Sequence, residues 1–329
     1  MLITGKRHAY YVKYKVGFDK SGKIKAVAAQ MYSDGGHSVD YSPMVLEHTM
    51  LMFESTYKIP NLKLNGQVCK TNTATGTAMR GFGNIQAALM MEELIFRISV
   101  ALQVPQAQVR HANHLKEGDV LSYGMSLKNC TIGECWEKCA MDSRYNERVV
   151  AVQQFNKQNR WKKRGMTMTS CRFGIGFPKI FMMQGAALVH VYLDGSILIT
   201  TGGVEMGQGL NTKLIQVASR ALGAPMEKIF INETSTQTVP NAMGTGGSTG
   251  ADICGPAVID ACIKLNERLA PFKDKIPDGN WERWIKKLWS SYKRIESSKT
   301  SKYHMKTCIM LSVLPSLLST VSSWEKIDI

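Results

Sequence analysis

The sequence predicts a mixed α/β chain built from two domains. Three observations carry that prediction. Stretches with strand-like alternation meet around turn residues near the start and again near residue 194. Longer apolar stretches with helical spacing follow loops rich in glycine and threonine. The 329 residues leave room for about two domains at roughly 100–200 residues each.

The elements follow in order. Residues 10–18 and 23–32 alternate like strands, and DKSGK between them is a hairpin-type turn. Gly35-Gly36 is expected to break the second run. A helix is expected over 43–54. Tyr57-Lys-Ile-Pro-Asn then reads as an extended turn, because Pro60 holds Ile59 out of the helical region. The loop TNTATGTAMRGFGN leads into an apolar helix over 85–102, which Pro105 follows, and 106–115 continues as a shorter helix. Residues 140–164 are polar and basic and mark a domain boundary.

In the second half, apolar strands over 185–192 and 196–201 meet at Asp194-Gly195, a strong hairpin signal. GGVEMGQG follows, then a helix over 211–222 stopped by Gly223 and Pro225. A short strand over 228–232 and a polar loop over 233–249 lead to a helix over 251–269, which Ser248 or Thr249 is placed to cap. Beyond Trp281 the sequence is rich in Lys and Ser with no steady period.

Composition narrows the function classes. With 44% hydrophobic and 20% charged residues the chain is globular rather than disordered. The net charge of +15 is dense at 157–164 and 264–306, with no interleaved aromatic ladder. It reads as solvated basic faces, or attraction to an anionic cofactor, rather than nucleic-acid binding. Eight cysteines do not form a disulfide scaffold at this length, and NCTIGECWEKC lacks the tight pairing of a metal site. Buried thiols in a reducing compartment are expected. No apolar leader is visible, and the apolar stretch 307–322 carries Pro315 and is too short to span a bilayer. The expected location is cytoplasmic, with no membrane partner.

Three glycine-bearing loops carry the chemistry: Met79-Arg-Gly-Phe-Gly83, Gly202-Gly-Val-Glu-Met-Gly-Gln-Gly209 and Gly244-Thr-Gly-Gly-Ser-Thr-Gly250. Each precedes a helix, whose first N–H groups and dipole favour an anion. The latter two, ahead of successive helices, suit a phosphorylated cofactor. Gln208 donates and accepts, Thr245, Ser248 and Thr249 offer hydroxyls, and Arg80 pairs with an anion. GxxxxGK[ST] and GxGxxG after a first strand are absent, as are GxSxG and HExxH, so P-loop, dinucleotide, hydrolase and zinc-protease readings fall away. His190 lies in an apolar strand and reads as a core histidine.

These segments, in this order, resemble the molybdenum-pterin domains of the aldehyde oxidase and xanthine dehydrogenase family. YKIPNL, VCKTN, TAMRGFGNIQAAL, WKKRG, ALVHVYLDGS, GGVEMGQGLNTKLIQVASRAL, ETSTQTVPN and TGGSTGAD all carry the match, which runs from about Met1 to Trp284. GFPK and TGGSTGAD lean toward aldehyde oxidases. The resemblance implies two molybdopterin-binding-type α/β domains, both incomplete: 1–145, a linker 146–164, 165–288, and a divergent tail 289–329. It puts Met206, Gly207 and Gln208 at the pterin and the molybdenum ligands. Thr245, Gly246, Gly247, Ser248, Thr249 and Gly250 wrap the pterin and its phosphate, and Arg80 sits beside the metal. It makes Phe82 and Phe177 the rings that sandwich substrate; without it, both read as plain core packing. His48 stands where xanthine-type members carry an arginine, which argues against purines. Met79 for a usual phenylalanine, and Gly247 for a usual alanine, are expected to loosen the pocket.

The implied reaction is hydroxylation of an aldehyde or N-heterocycle with water as the oxygen source, by a homodimeric enzyme. The family's electrons pass through two 2Fe–2S clusters to FAD, and its base is a glutamate in a Gly-x-Gly-Glu segment. None of these segments is found in the 329 residues. The chain is therefore expected to bind molybdenum-molybdopterin yet be inactive alone. The alternative is a non-catalytic chain that pairs with a full-length relative.

Overall fold

The computed structural model describes residues 5–177, 182–296 and 311–313. The chain is mixed α/β and divides into two units, Met1–Phe173 and Gly174–Ile329.

In the first unit, β1 (Tyr10–Phe18) and β2 (Ile24–Gly36) form an antiparallel hairpin. Asp19 closes its turn by accepting from the Ser21 N–H at 2.9 Å and the Ser21 hydroxyl at 2.6 Å. Asn113 staples the same turn to the body, accepting from the Ile24 N–H and donating to the Gly22 carbonyl, both at 2.8 Å. Gly35-Gly36 does not break β2. The strand runs to Gly36 because β3 (Leu62–Lys70) pairs with it in parallel as far as Gly36↔Lys70. β3 went unpredicted: Gly66 interrupts its alternation, and a parallel strand leaves no hairpin signal.

Helix α1 (Ser42–Leu51) crosses from β2 to β3, and α2 (Asn84–Leu102) and α3 (Gln106–Asn113) follow. Met91, Leu94, Ile95 and Ile98 of α2 pack with Met31, Phe53 and Tyr57, all essentially buried. Burying such side chains stabilises by about 1.5–3 kcal/mol each. Two further helices, α4 (Ile132–Asp142) and α5 (Tyr145–Gln158), close the unit. The expected linker 146–164 thus contains most of α5, and the division between units falls at Phe173/Gly174. The periodicity of α5 was obscured because none of its side chains is fully buried.

In the second unit, β4 (Gly185–Val191) and β5 (Ile197–Thr201) form the expected hairpin, with Asp194 accepting from the Ser196 N–H and hydroxyl at 3.0 and 2.7 Å. Helix α6 (Leu210–Leu222), β6 (Ile229–Ile231) and α7 (Gly250–Lys275) follow. β6 pairs in parallel with β5, and β7 (Leu311–Val313) pairs antiparallel with β4, giving the order β6-β5-β4-β7. Leu210, Leu214 and Leu222 of α6 and Val258, Ala261 and Leu265 of α7 bury against Val189, Ile197 and Ile199 of the sheet.

One correction concerns the end of the chain. Helix α8 (Trp281–Glu296) occupies the region read as having no period. Trp281 and Ile285 are buried and Trp284 and Leu288 pack beside them, a spacing of three and four that the intervening lysines mask. The Trp281 indole donates to the Gly195 carbonyl at 2.6 Å, tying α8 to the β4–β5 turn. The apolar stretch 307–322 lies outside the described residues except Leu311–Val313. No described helix is long and apolar enough to cross a membrane.

Buried thiols were expected, and only some of the described ones are buried. No disulfide joins the described cysteines. Cys254 and Cys262 are buried, but Cys135, Cys139 and Cys171 are exposed. No cluster of three or more metal-ligating side chains occurs among the described residues.

Candidate functional site

In the second unit the loops 202–209 and 244–250 lie side by side. The Val204 N–H donates to the Thr245 hydroxyl at 2.9 Å, and the Thr234 hydroxyl donates to the Gly203 carbonyl at 3.2 Å. The first loop is knotted on itself. Gln208 accepts from the Met206 N–H at 2.6 Å and donates to the Val204 carbonyl at 2.8 Å. That uses one donor and one acceptor of its amide and leaves one of each.

The start of α6 carries a carboxylate from its own loop. Glu205 supplies it, accepting from the N–H groups of Gly207 at 2.9 Å, Gly209 at 3.0 Å and Asn211 at 3.0 Å. Its carboxyl is held below the usual range, chiefly by the Asn211 N–H and then by those of Gly209 and Gly207. An internal carboxylate thus occupies the place where an anion would dock.

The start of α7 is different. Its N-cap, Thr249, makes no side-chain cap. Its hydroxyl donates backward to the Gly246 carbonyl at 3.0 Å, so the expected capping role for Ser248 or Thr249 is not realised. Thr249 is buried and Ser248 exposed. Among the described residues no side chain caps the first turn of α7, and open N–H groups beside an exposed hydroxyl suit an anion such as a phosphate.

Gly247 corrects a second expectation. Its φ is +59°, and a Cβ there would lie 2.9 Å from the Gly176 carbonyl oxygen. The Gly176 N–H donates to the Gly247 carbonyl at 2.8 Å. Glycine therefore tightens this loop against 176–177 instead of loosening it. Phe177 packs on the same loop, its ring 3.3 Å from where a Gly246 Cβ would stand. Pro178 and Lys179 of the GFPK motif lie outside the described residues. His190 is half-buried in β4, its ring 6.3 Å from that of Tyr192.

In the first unit the loop 79–83 packs on α1. Gly83 has φ +80°, and a Cβ there would stand 2.6 Å from the Val45 carbonyl oxygen and 2.7 Å from the Thr49 hydroxyl. That approach brings Phe82 to His48, ring centroids 5.8 Å apart and edge-on. Phe173 meets His48 at 6.2 Å. Burial pushes the His48 imidazole below its ordinary range, leaving it neutral near pH 7. Arg80 is exposed, and its carbonyl accepts from the Arg7 guanidinium at 2.6 Å.

Sequence reading missed the residues that hold Phe173 in place. Arg172 donates to the Ser55 carbonyl at 2.6 Å and to the Tyr123 hydroxyl at 3.0 Å. Asn84 donates to the Arg172 carbonyl at 3.1 Å. Glu54 lies near the same guanidinium, and burial pushes its carboxyl upward. No local motif marks these partners, which lie tens of residues apart in the chain.

Two family models, each described as a molybdopterin cofactor-binding domain, match residues 1–114 and 138–310. The chain belongs to the molybdopterin cofactor-binding domain family. Mouse xanthine dehydrogenase/oxidase is 47% identical to it over 291 residues, covering 88% of this chain and 22% of that protein. Mouse aldehyde oxidase 3 is also 47% identical, over 289 residues, with the same two shares. The resemblance read from the motifs therefore stands, while overall identity does not separate the two branches. The chain spans about a fifth of the length of the curated relatives it matches. Among solved structures, the aldehyde oxidoreductase from Desulfovibrio gigas superposes with a TM-score of 0.67 at 22% identity, over 82% of this chain and 29% of that one. Quinoline 2-oxidoreductase from Pseudomonas putida 86 gives 0.67 at 16% identity, over 94% and 43%. These two share the fold of this chain.

Proposed function

We propose that the chain holds the pterin of a molybdenum cofactor in an oxidoreductase that hydroxylates aldehydes or N-heterocycles. The observation that supports this best is the Thr245–Val204 cross-tie, which makes the two glycine loops one surface ahead of the uncapped start of α7. In this reading the backbone of Met206, Gly207 and Gln208 and the remaining amide capacity of Gln208 face the pterin. The loop from Thr245 to Gly250 receives the phosphate, with the exposed Ser248 hydroxyl as a donor. When bound, molybdenum supplies two-electron oxidation with water as the source of oxygen.

In the first unit His48 and Phe82 are assigned to the substrate, and a neutral His48 favours an uncharged planar substrate over one needing a guanidinium anchor. Cofactor content is the direct test. In cells that make molybdopterin, the wild-type chain should retain pterin and Gln208→Ala and Ser248→Ala should retain less. Equal retention in all three would remove these residues from the site.

A further inference from the structure

We propose that Glu205 is the positioning residue of the cofactor loop: its carboxylate gathers the Gly207, Gly209 and Asn211 N–H groups and so fixes the backbone that faces the pterin. The inference rests on the molybdopterin reading and adds a residue which that reading leaves unassigned. The geometry carries it. Three convergent N–H bonds of 2.9–3.0 Å to one carboxylate hold 205–211 from inside. The same loop holds Gln208 by two further bonds. Glu205 is exposed, so its place is not dictated by core packing.

A second consequence concerns where an anion goes. With Glu205 present, the start of α6 already carries its negative charge and repels another. The cofactor phosphate is therefore directed to the start of α7, which has no side-chain cap. One internal carboxylate both shapes the pterin-facing loop and decides between two helix starts that look alike in sequence.

The test uses the full chain with Glu205→Gln, Glu205→Asp and, as a control, Glu227→Gln on the exposed turn before β6. Gln keeps the size but offers one acceptor and puts an N–H group among N–H groups. Asp keeps the charge but is one methylene short. Amide exchange at 207, 209 and 211 and pterin retained per chain are measured together. The expected order is wild type, then Asp, then Gln in both readouts. Gln should lose about tenfold or more in each, as the charge-assisted bonds go, while exchange in β4, β5 and α7 stays slow. The control should match wild type.

Faster exchange at 207, 209 and 211 with pterin retention unchanged overturns the positioning role. Loss of protection across the whole unit overturns it too, in favour of a role in the fold. A wild-type chain that retains no pterin sinks the molybdopterin reading itself, and this inference with it.

Discussion

Gly202, at the start of the first glycine loop, packs against Ala242 just ahead of the second, which makes Gly202→Ala a sharp perturbation. A Cβ on Gly202 would stand 2.0 Å from the Ala242 Cβ. Carbon atoms in contact prefer about 3.5–4.0 Å, so the loops must part by about 1.5 Å. Overpacking of this kind costs about 1–3 kcal/mol. The obstruction is chiefly one methyl group, since the next atoms, Ala242 Cα and Val239 Cγ1, stand at 3.4 and 3.9 Å. Gly202→Ala/Ala242→Gly should therefore recover most of the loss, apart from about 0.4–1 kcal/mol for the freer unfolded chain that the new glycine brings. The assay is urea unfolding of wild type, both single variants and the double variant, read by tryptophan fluorescence. A coupling energy of about 1–2 kcal/mol is expected from the cycle. Strict additivity, or a single variant as stable as wild type, would show that the loops do not meet as described.

Two further predictions probe the rest of the molecule. Ile285→Ala should destabilise the second unit by about 2–5 kcal/mol, because the side chain is fully buried in α8; a change under about 0.5 kcal/mol by urea unfolding would mean that α8 does not belong to this core. Burial, with His111 adding to it, holds His114 down at about 4, against an ordinary 6.5. The unfolded chain binds the extra proton between these values, so this stability is complete above pH 6.5 and is lost as pH falls toward 4. Thermal melts of the first unit should weaken from pH 7 to pH 5, and His114→Gln should flatten that slope. A wild-type melt that does not change over this range would contradict the assignment.

Much of the architecture was legible because its signals are local. Asp194-Gly195 specified a hairpin whose closing bonds run within three residues, and Gly223 with Pro225 stopped α6 as expected. The misses share a physical cause. β3 is recognised only through its parallel pairing with β2, which α1 separates from it in sequence. The burial of Trp281 and Ile285 depends on a sheet formed some ninety residues earlier, and nothing in the lysine-rich run around them announces it.

The site was legible as loops but not as bonds. Gly202–Gly209 and Gly244–Gly250 were found from glycine spacing and resemblance. That Glu205 fills the start of α6 was not found, although an acidic residue just ahead of a helix is the signal that points to it. Phe173 escaped because Arg172, Ser55, Tyr123 and Asn84, which hold its segment, come together only in the folded unit.

Pterin and molybdenum content of the wild-type chain, purified from cells that make the cofactor, tests the central claim most directly. About one pterin and one molybdenum per chain would bear out a cradle formed by these two loops. A chain that is folded by its melt yet carries neither would contradict it.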